Sequence, residues 1–302
     1  MKTPWWFMHK TPLALILTPV SMIYLGASRI TQALRGIGAY KPRRPVVCVG
    51  NILAGGVGKT PIVRAIAEFL DAPVVMRGYK KSANTAGIGD EALMLARGGL
   101  TLHTGDRKSN IILLDKQAEN GPIVMDDGLQ NPRVKKTISI MVFDEGIGYG
   151  NGFILPAGPL REPKKAARRA DAIIVVKSKK PRRKFILPDG VPVFYAVPGT
   201  VSPYGPNTRL VAFAGIGYPK KFFNALRGVV ASRAFADHYQ YTDADLEKLY
   251  ALARRKKAKL VTTEKDWVRL PECAREKIKY APLTMQIEGG FFQWLTERLK
   301  NA

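Results

Sequence analysis

Cysteine is nearly absent from this chain: two occur in 302 residues, Cys48 inside an apolar run and Cys273 on a polar stretch. That excludes a disulfide framework and any CxxC metal site, and points to a reducing compartment. Histidine is scarce too. His9, His103 and His238 lie far apart, so no HExxH-type zinc site is written here, and any metal chemistry must run through oxygen ligands. No acidic residue precedes position 45. No zinc finger, helix-turn-helix signature or RNP-like aromatic stripe is present, which removes the usual nucleic-acid modules. A guanine-reading N-K-x-D is missing as well, since Thr263-Glu264-Lys265-Asp266 has the wrong order.

What is abundant is positive charge: 48 Lys+Arg against 24 Asp+Glu, a formal net of +24. Such a surface seeks anions, either phosphorylated ligands or an acidic membrane leaflet. Thr11 to Ser28 carries no charge, has Trp5, Trp6 and Phe7 just upstream, and is followed by Arg29, Arg35, Lys41, Arg43 and Arg44. This predicts an N-terminal membrane-anchoring helix with the following domain on the cytoplasmic side. Eighteen uncharged residues broken by Pro19 leave a spanning helix, a helix lying in the interface and an amphipathic core helix all open.

Val46 to Pro61, VVCVGNILAGGVGKTP, is an apolar strand breaking into a glycine-rich turn. Glycines at 55, 56 and 58 allow consecutive N–H groups to face one anion at the start of a helix. Lys59 can reach the terminal phosphates of a nucleotide and Thr60 can offer its hydroxyl to Mg2+. The nucleotide-binding loop is therefore Leu53, Ala54, Gly55, Gly56, Val57, Gly58, Lys59 and Thr60, although the strict pattern wants Gly where Leu53 stands. Ile62, Ile66 and Leu70 then recur at helical spacing. Downstream, strand-like runs at 74–76, 123–125, 138–143 and 172–176 alternate with helical patterns. The fold class is thus α/β, a P-loop NTPase-type parallel sheet flanked by helices. The predicted units are an anchor over 1–40, a P-loop core over 41–200 and a smaller C-terminal α/β lobe over 201–302, with a long functional loop at 144–169.

Asp126 and Asp127 end an apolar strand, where α/β sheets bind ligands, and can hold magnesium; an Asp-Gly turn is the plainer alternative. Gly89-Asp90-Glu91 either caps a helix or supplies a carboxylate that accepts a proton from an attacking hydroxyl. Arg161 can steady a transferring phosphoryl group and Glu162 can assist the metal.

In order along the chain stand GNILAGGVGKTP, MRGY, GDEALML, MDDGLQ, GNGFILPAGPLREP, FADHYQYT and VTTEKDWVRL. From about residue 10 to 270 the sequence resembles the tetraacyldisaccharide 4'-kinase family, which makes lipid A precursors in Gram-negative bacteria. The resemblance implies an enzyme on the cytoplasmic face of the inner membrane that moves the γ-phosphate of ATP to the 4'-hydroxyl of a tetraacylated glucosamine disaccharide 1-phosphate. It implies that Lys59 and Thr60 bind phosphates and Mg2+, that Asp126, Asp127 and Glu162 complete the metal environment, and that Asp90 is the catalytic base paired with His238. Arg161 and Glu91 would serve substrate or transition-state binding, with Arg77, Tyr79 and Asn151 on the acceptor side. The implied partners are the lipid acceptor and an anionic membrane surface, with no nucleic acid. Two positions depart from the family pattern, Asn131 after DDGLQ and Lys80 after MRGY. A membrane-associated partitioning ATPase is the rival reading, but Ala54 occupies its signature lysine position.

Overall fold

A computed structural model describes residues 4–78, 90–117, 119–178, 181, 185–217, 219–236 and 239–301, without the side chains of Asp90, Glu91, Leu93 and Arg97. The chain divides into two compact units, one of residues 3–78, 99–197 and 285–302, the other of 79–98 and 198–284 with the first two residues.

Unit one is built on an eight-stranded sheet. Its strands are β1 (Val46–Gly50), β2 (Val74–Met76), β3 (Leu102–Thr104), β4 (Ile123–Asp126), β5 (Ile138–Asp144), β6 (Ala172–Val176), β7 (Val193–Thr200) and β12 (Leu283–Ile287), in the order β12-β7-β6-β5-β1-β4-β2-β3. The six pairings from β7 to β3 are parallel. β1, β2, β4 and β6 are buried at every position, as central parallel strands covered on both faces must be. Cys48 lies in the middle of β1, where burial pushes its thiol up to about 12 and leaves it an inert apolar group.

The helices of this unit are α1 (Pro12–Ile16), α2 (Thr18–Gly36), α3 (Lys59–Leu70), α5 (Arg107–Asp115) and α10 (Gly289–Lys300), while α4 (Asp90–Arg97) belongs to unit two. α3 follows β1 and buries Ile62, Val63, Ile66 and Ala67, the stripe that its spacing predicts.

Leu17 separates α1 from α2, and Pro19 sits in the first turn of α2, so the uncharged N-terminal run is two helices rather than one. Among the described residues no helix is long and apolar enough to cross a membrane. Neither is this a core helix, because Ser21 is the one buried residue of α2 and Ile23 is 73% exposed. The segment is stitched instead to the 150–157 loop: Ser21 Oγ donates to Ile154 O at 2.9 Å and Trp6 Nε1 to Pro156 O at 3.2 Å.

Unit two carries a four-stranded parallel sheet of β8 (Leu210–Ala214), β9 (Val229–Ala234), β10 (Lys259–Thr263) and β11 (Lys279–Ala281), ordered β11-β10-β8-β9. It is flanked by α6 (Pro219–Phe223), α7 (Asp243–Lys256), α8 (Glu264–Trp267) and α9 (Glu272–Arg275). Phe213, Leu246, Leu249 and Ile278 close one face of its core, and Ala212, Phe222 and Val261 the other. The switch between units at 197/198 lies close to the expected boundary at 200/201. The units are nevertheless not consecutive blocks, since residues 79–98 leave unit one and residues 285–302 return to it.

Candidate active site

Parallel register brings the two richest segments together. Val49 of β1 pairs with Asp126 of β4, and Asp127 N donates to Val49 O at 2.8 Å. The strand that delivers the phosphate loop and the strand that delivers the acid pair therefore end side by side, at the carboxyl edge where α/β sheets take ligands.

The loop itself has the expected conformation: Gly55 and Gly58 have φ of +117° and +80°, and α3 begins at Lys59. Leu53, the departure from the strict pattern, is 1% exposed and forms an antiparallel bridge with Leu160. Ala54 N donates to Pro159 O at 2.7 Å and Arg161 N to Ile52 O at 2.8 Å. The phosphate loop is thus laced to the LPAGPLREP segment, with a buried side chain at 53 where a glycine would leave a hole. This lacing sets Arg161 and Glu162 beside the loop.

Lys59 Nζ lies 3.1 Å from Asp127 Oδ1 and donates at 3.1 Å to Oδ1 of Asn51. Arg161 Nη1 reaches the other oxygen, Oδ2, of Asp127 at 3.2 Å. Burial alone raises the Asp127 carboxyl, but the charges of Lys59 and Arg161 outweigh it and hold the group below its ordinary value. Asp127 takes φ of +50°, a left-handed conformation that Asp tolerates better than most residues. Next to it Gly128 is required by contact, because a Cβ there would meet Met125 Sδ at 2.0 Å and Cys48 Sγ at 3.0 Å.

A second chain of bonds runs outward. Gln130 Nε2 donates to Asn51 O at 2.8 Å and to Glu162 Oε1 at 2.7 Å, and Arg169 grips both oxygens of Glu162. Burial raises the Glu162 carboxyl, while the hydrogen bond and charge of Arg169 and the amide of Gln130 reverse that and keep it ionised. Asn51, Gln130 and Arg169 were not singled out from sequence. Asn51 and Gln130 stand inside the quoted motifs GNILAGGVGKTP and MDDGLQ, while Arg169 stands at the end of the 144–169 loop. Arg107, also unforeseen, donates through Nε to Asp126 O at 3.0 Å.

Among the described residues no group of three His, Cys, Asp or Glu side chains is gathered closely enough to hold an ion by itself. Magnesium needs no such cage, since it keeps waters and takes one or two carboxylates together with substrate phosphates. The oxygen donors of Asp126, Asp127 and Thr60 fit that demand. Nδ2 of Asn51 is a buried donor with no hydrogen-bond partner among the described residues, as expected where an anion's oxygens belong beside Lys59.

Asn151, expected on the acceptor side, is buried and its amide is engaged within the protein. Nδ2 donates to Trp6 O at 2.8 Å and Ala157 O at 2.9 Å, and Oδ1 accepts from Phe153 N at 3.0 Å. The residue ties the N-terminal turn to the loop. Asn131 serves its own turn by accepting from Arg133 N at 3.1 Å. Arg77 is exposed just past β2, and Asp90 opens α4. Tyr79, Lys80 and His238, like the side chains of Asp90 and Glu91, lie outside the described residues.

A family model described as tetraacyldisaccharide-1-P 4'-kinase matches residues 13–300. The chain belongs to the tetraacyldisaccharide 4'-kinase family. It is similar to the tetraacyldisaccharide 4'-kinase of Methylobacterium nodulans, 39% identical with 91% of this chain and 89% of that protein covered. To that of Paramagnetospirillum magneticum it is 37% identical over 92% of both. To that of Rhodopseudomonas palustris it is 35% identical over 100% of this chain and 97% of the relative. The fold matches that of LpxK from Aquifex aeolicus, solved in complex with ATP, with a TM-score of 0.72, 23% identity, and 95% of this chain and 99% of that one covered. The chain is accordingly an alcohol-acceptor kinase of lipid A biosynthesis.

Proposed function

We propose that this kinase transfers the γ-phosphate of ATP to the 4'-hydroxyl of a tetraacylated glucosamine disaccharide 1-phosphate. The observation that carries the reading is Lys59 held between Asn51 and Asp127 at the mouth of a phosphate loop. Bound Mg2+, held by Thr60, Asp126 and Asp127, would offset the charge of the nucleotide phosphates. The loop N–H groups from Leu53 to Gly58 cradle phosphate oxygens, Lys59 exchanges its carboxylate for the phosphates, and Nδ2 of Asn51 adds a donor. The 4'-oxygen forms its bond to the γ-phosphorus as the bond to the β,γ-bridging oxygen breaks. The hydroxyl proton passes to Asp90, which the family resemblance pairs with His238. Arg161 stabilises charge on the transferring group, and Glu91, Arg77 and Tyr79 contact the acceptor.

The same reading places the enzyme on the cytoplasmic face of a Gram-negative inner membrane. A net charge of +24 and solvent-exposed Ile16, Val20, Ile23, Ile30 and Leu34 on α1 and α2 support attachment to an anionic leaflet by helices lying in the interface. The test is transfer of radiolabelled γ-phosphate to purified tetraacyldisaccharide 1-phosphate in mixed micelles. A labelled lipid bisphosphate that vanishes with Asp90→Ala is expected. Hydrolysis of ATP without any lipid product would overturn the assignment, and product undiminished in the variant would remove Asp90 as the base.

A further inference from the structure

Between α2 and the 3-10 turn Lys164–Arg169 lies a cavity of about 400 Å³, walled by Leu25, Arg29 and Gln32 on the helix and by Glu162, Lys165 and Arg169 on the loop. Leu25, Arg29 and Gln32 recur at helical spacing, so they form one side of α2. Among the described residues neither Arg29 nor Lys165 has a carboxylate within ion-pair distance, whereas Arg169 is already matched by Glu162. The walls therefore carry two uncompensated positive charges in a concave, half-enclosed space.

We infer that this cavity is a subsite for the dianionic phosphomonoester of a membrane amphiphile, held by Arg29 and Lys165 with Arg169 as a third donor. Two free cations match the charge of a phosphomonoester. The amphiphile is chosen over a soluble phosphate because the helix that walls the cavity turns Ile23, Ile30 and Leu34 outward to solvent and contributes Leu25 to the lining. A phosphate seated here competes with Glu162 for the guanidinium of Arg169. Occupancy is thereby relayed through Gln130 to the backbone of Asn51 at the phosphate loop. The inference rests on the proposed function only in supplying a phosphorylated lipid as the natural occupant.

The full chain, free of nucleotide, would be sedimented with phosphatidylcholine vesicles with and without phosphatidic acid. The double variant Arg29→Gln/Lys165→Gln would be set against Arg35→Gln/Lys41→Gln, which removes the same charge from residues outside the cavity. The cavity variant should weaken binding to phosphatidic acid vesicles about tenfold. The control should lose far less, and soluble glucose 1-phosphate at concentrations matching the lipid should not compete. Equal losses in the two variants would reduce the effect to general surface charge and overturn the subsite. Effective competition by glucose 1-phosphate would overturn its lipid source. Because no ATP is present, a chain that passes this test yet transfers no phosphate keeps the subsite and loses the kinase reading.

Discussion

Lys59 and Asp127 face each other at 3.1 Å across the gap between the phosphate loop and the end of β4. The pair keeps a cation and an anion in place at a site where the proposed function assigns phosphate to the first and metal to the second. Asp127→Asn removes the charge but keeps a residue that tolerates φ of +50°. Phosphoryl transfer should fall about 100-fold or more with the melting temperature little changed, measured by the radiolabel assay beside thermal denaturation.

Leu53→Gly would restore the strict phosphate-loop pattern, yet it should harm the protein. The side chain is 1% exposed and sits in the bridge to Leu160. Its removal leaves a cavity costing about 2–5 kcal/mol, and the loosened lacing should lower nucleotide affinity as well. Urea unfolding and nucleotide titration of the one variant check both expectations.

Glu162 and Asp127 both titrate lower in the folded chain than the ordinary values of 4.5 and 3.8. Each carboxylate therefore adds stability that is complete above its ordinary value and lost as pH falls through its lower folded value. The urea midpoint should drop as pH is taken from about 5 to about 2, more steeply than in Arg169→Gln. A variant curve parallel to the parent would contradict the role given to Arg169.

In unit two, Thr242 caps α7, with its hydroxyl accepting from Asp245 N and the Asp245 carboxylate accepting in return from Thr242 N. Thr242→Ala should cost about 1 kcal/mol, read as a lower melting temperature. Since Thr242 lies outside the proposed chemistry, transfer at low temperature should persist.

Where the chain writes its structure locally, it could be read. The run Val46–Val49, the glycines after it and the acids after Met125 each declare a strand end and a ligand edge, and Ile62 and Ile66 declare the buried side of α3. Residues 79–98 could not be assigned to a unit this way. Leaving one sheet after β2 and rejoining it at β3 changes neither composition nor periodicity, because which core an amphipathic helix joins is decided by partners distant in sequence. The same holds for Gln130, whose amide matters only because parallel pairing and the Leu53–Leu160 bridge bring Asn51 and Glu162 to either side of it. Asn151 is a further case: the carbonyls that its amide meets come from the folded N-terminal turn and from Ala157, and nothing next to it in sequence announces the first of them.

The last three residues of β12 and all of α10 end the sequence but belong with its first half. A ribosome making this protein releases β1, the phosphate loop and the acid pair long before the edge strand that completes their sheet. Unit two, contiguous from residue 198 to 284 apart from its early helix, is fully synthesised first. Loss of the last eighteen residues would thus injure the half that carries the phosphate loop, at the far end of the chain, and spare the half that immediately precedes the cut.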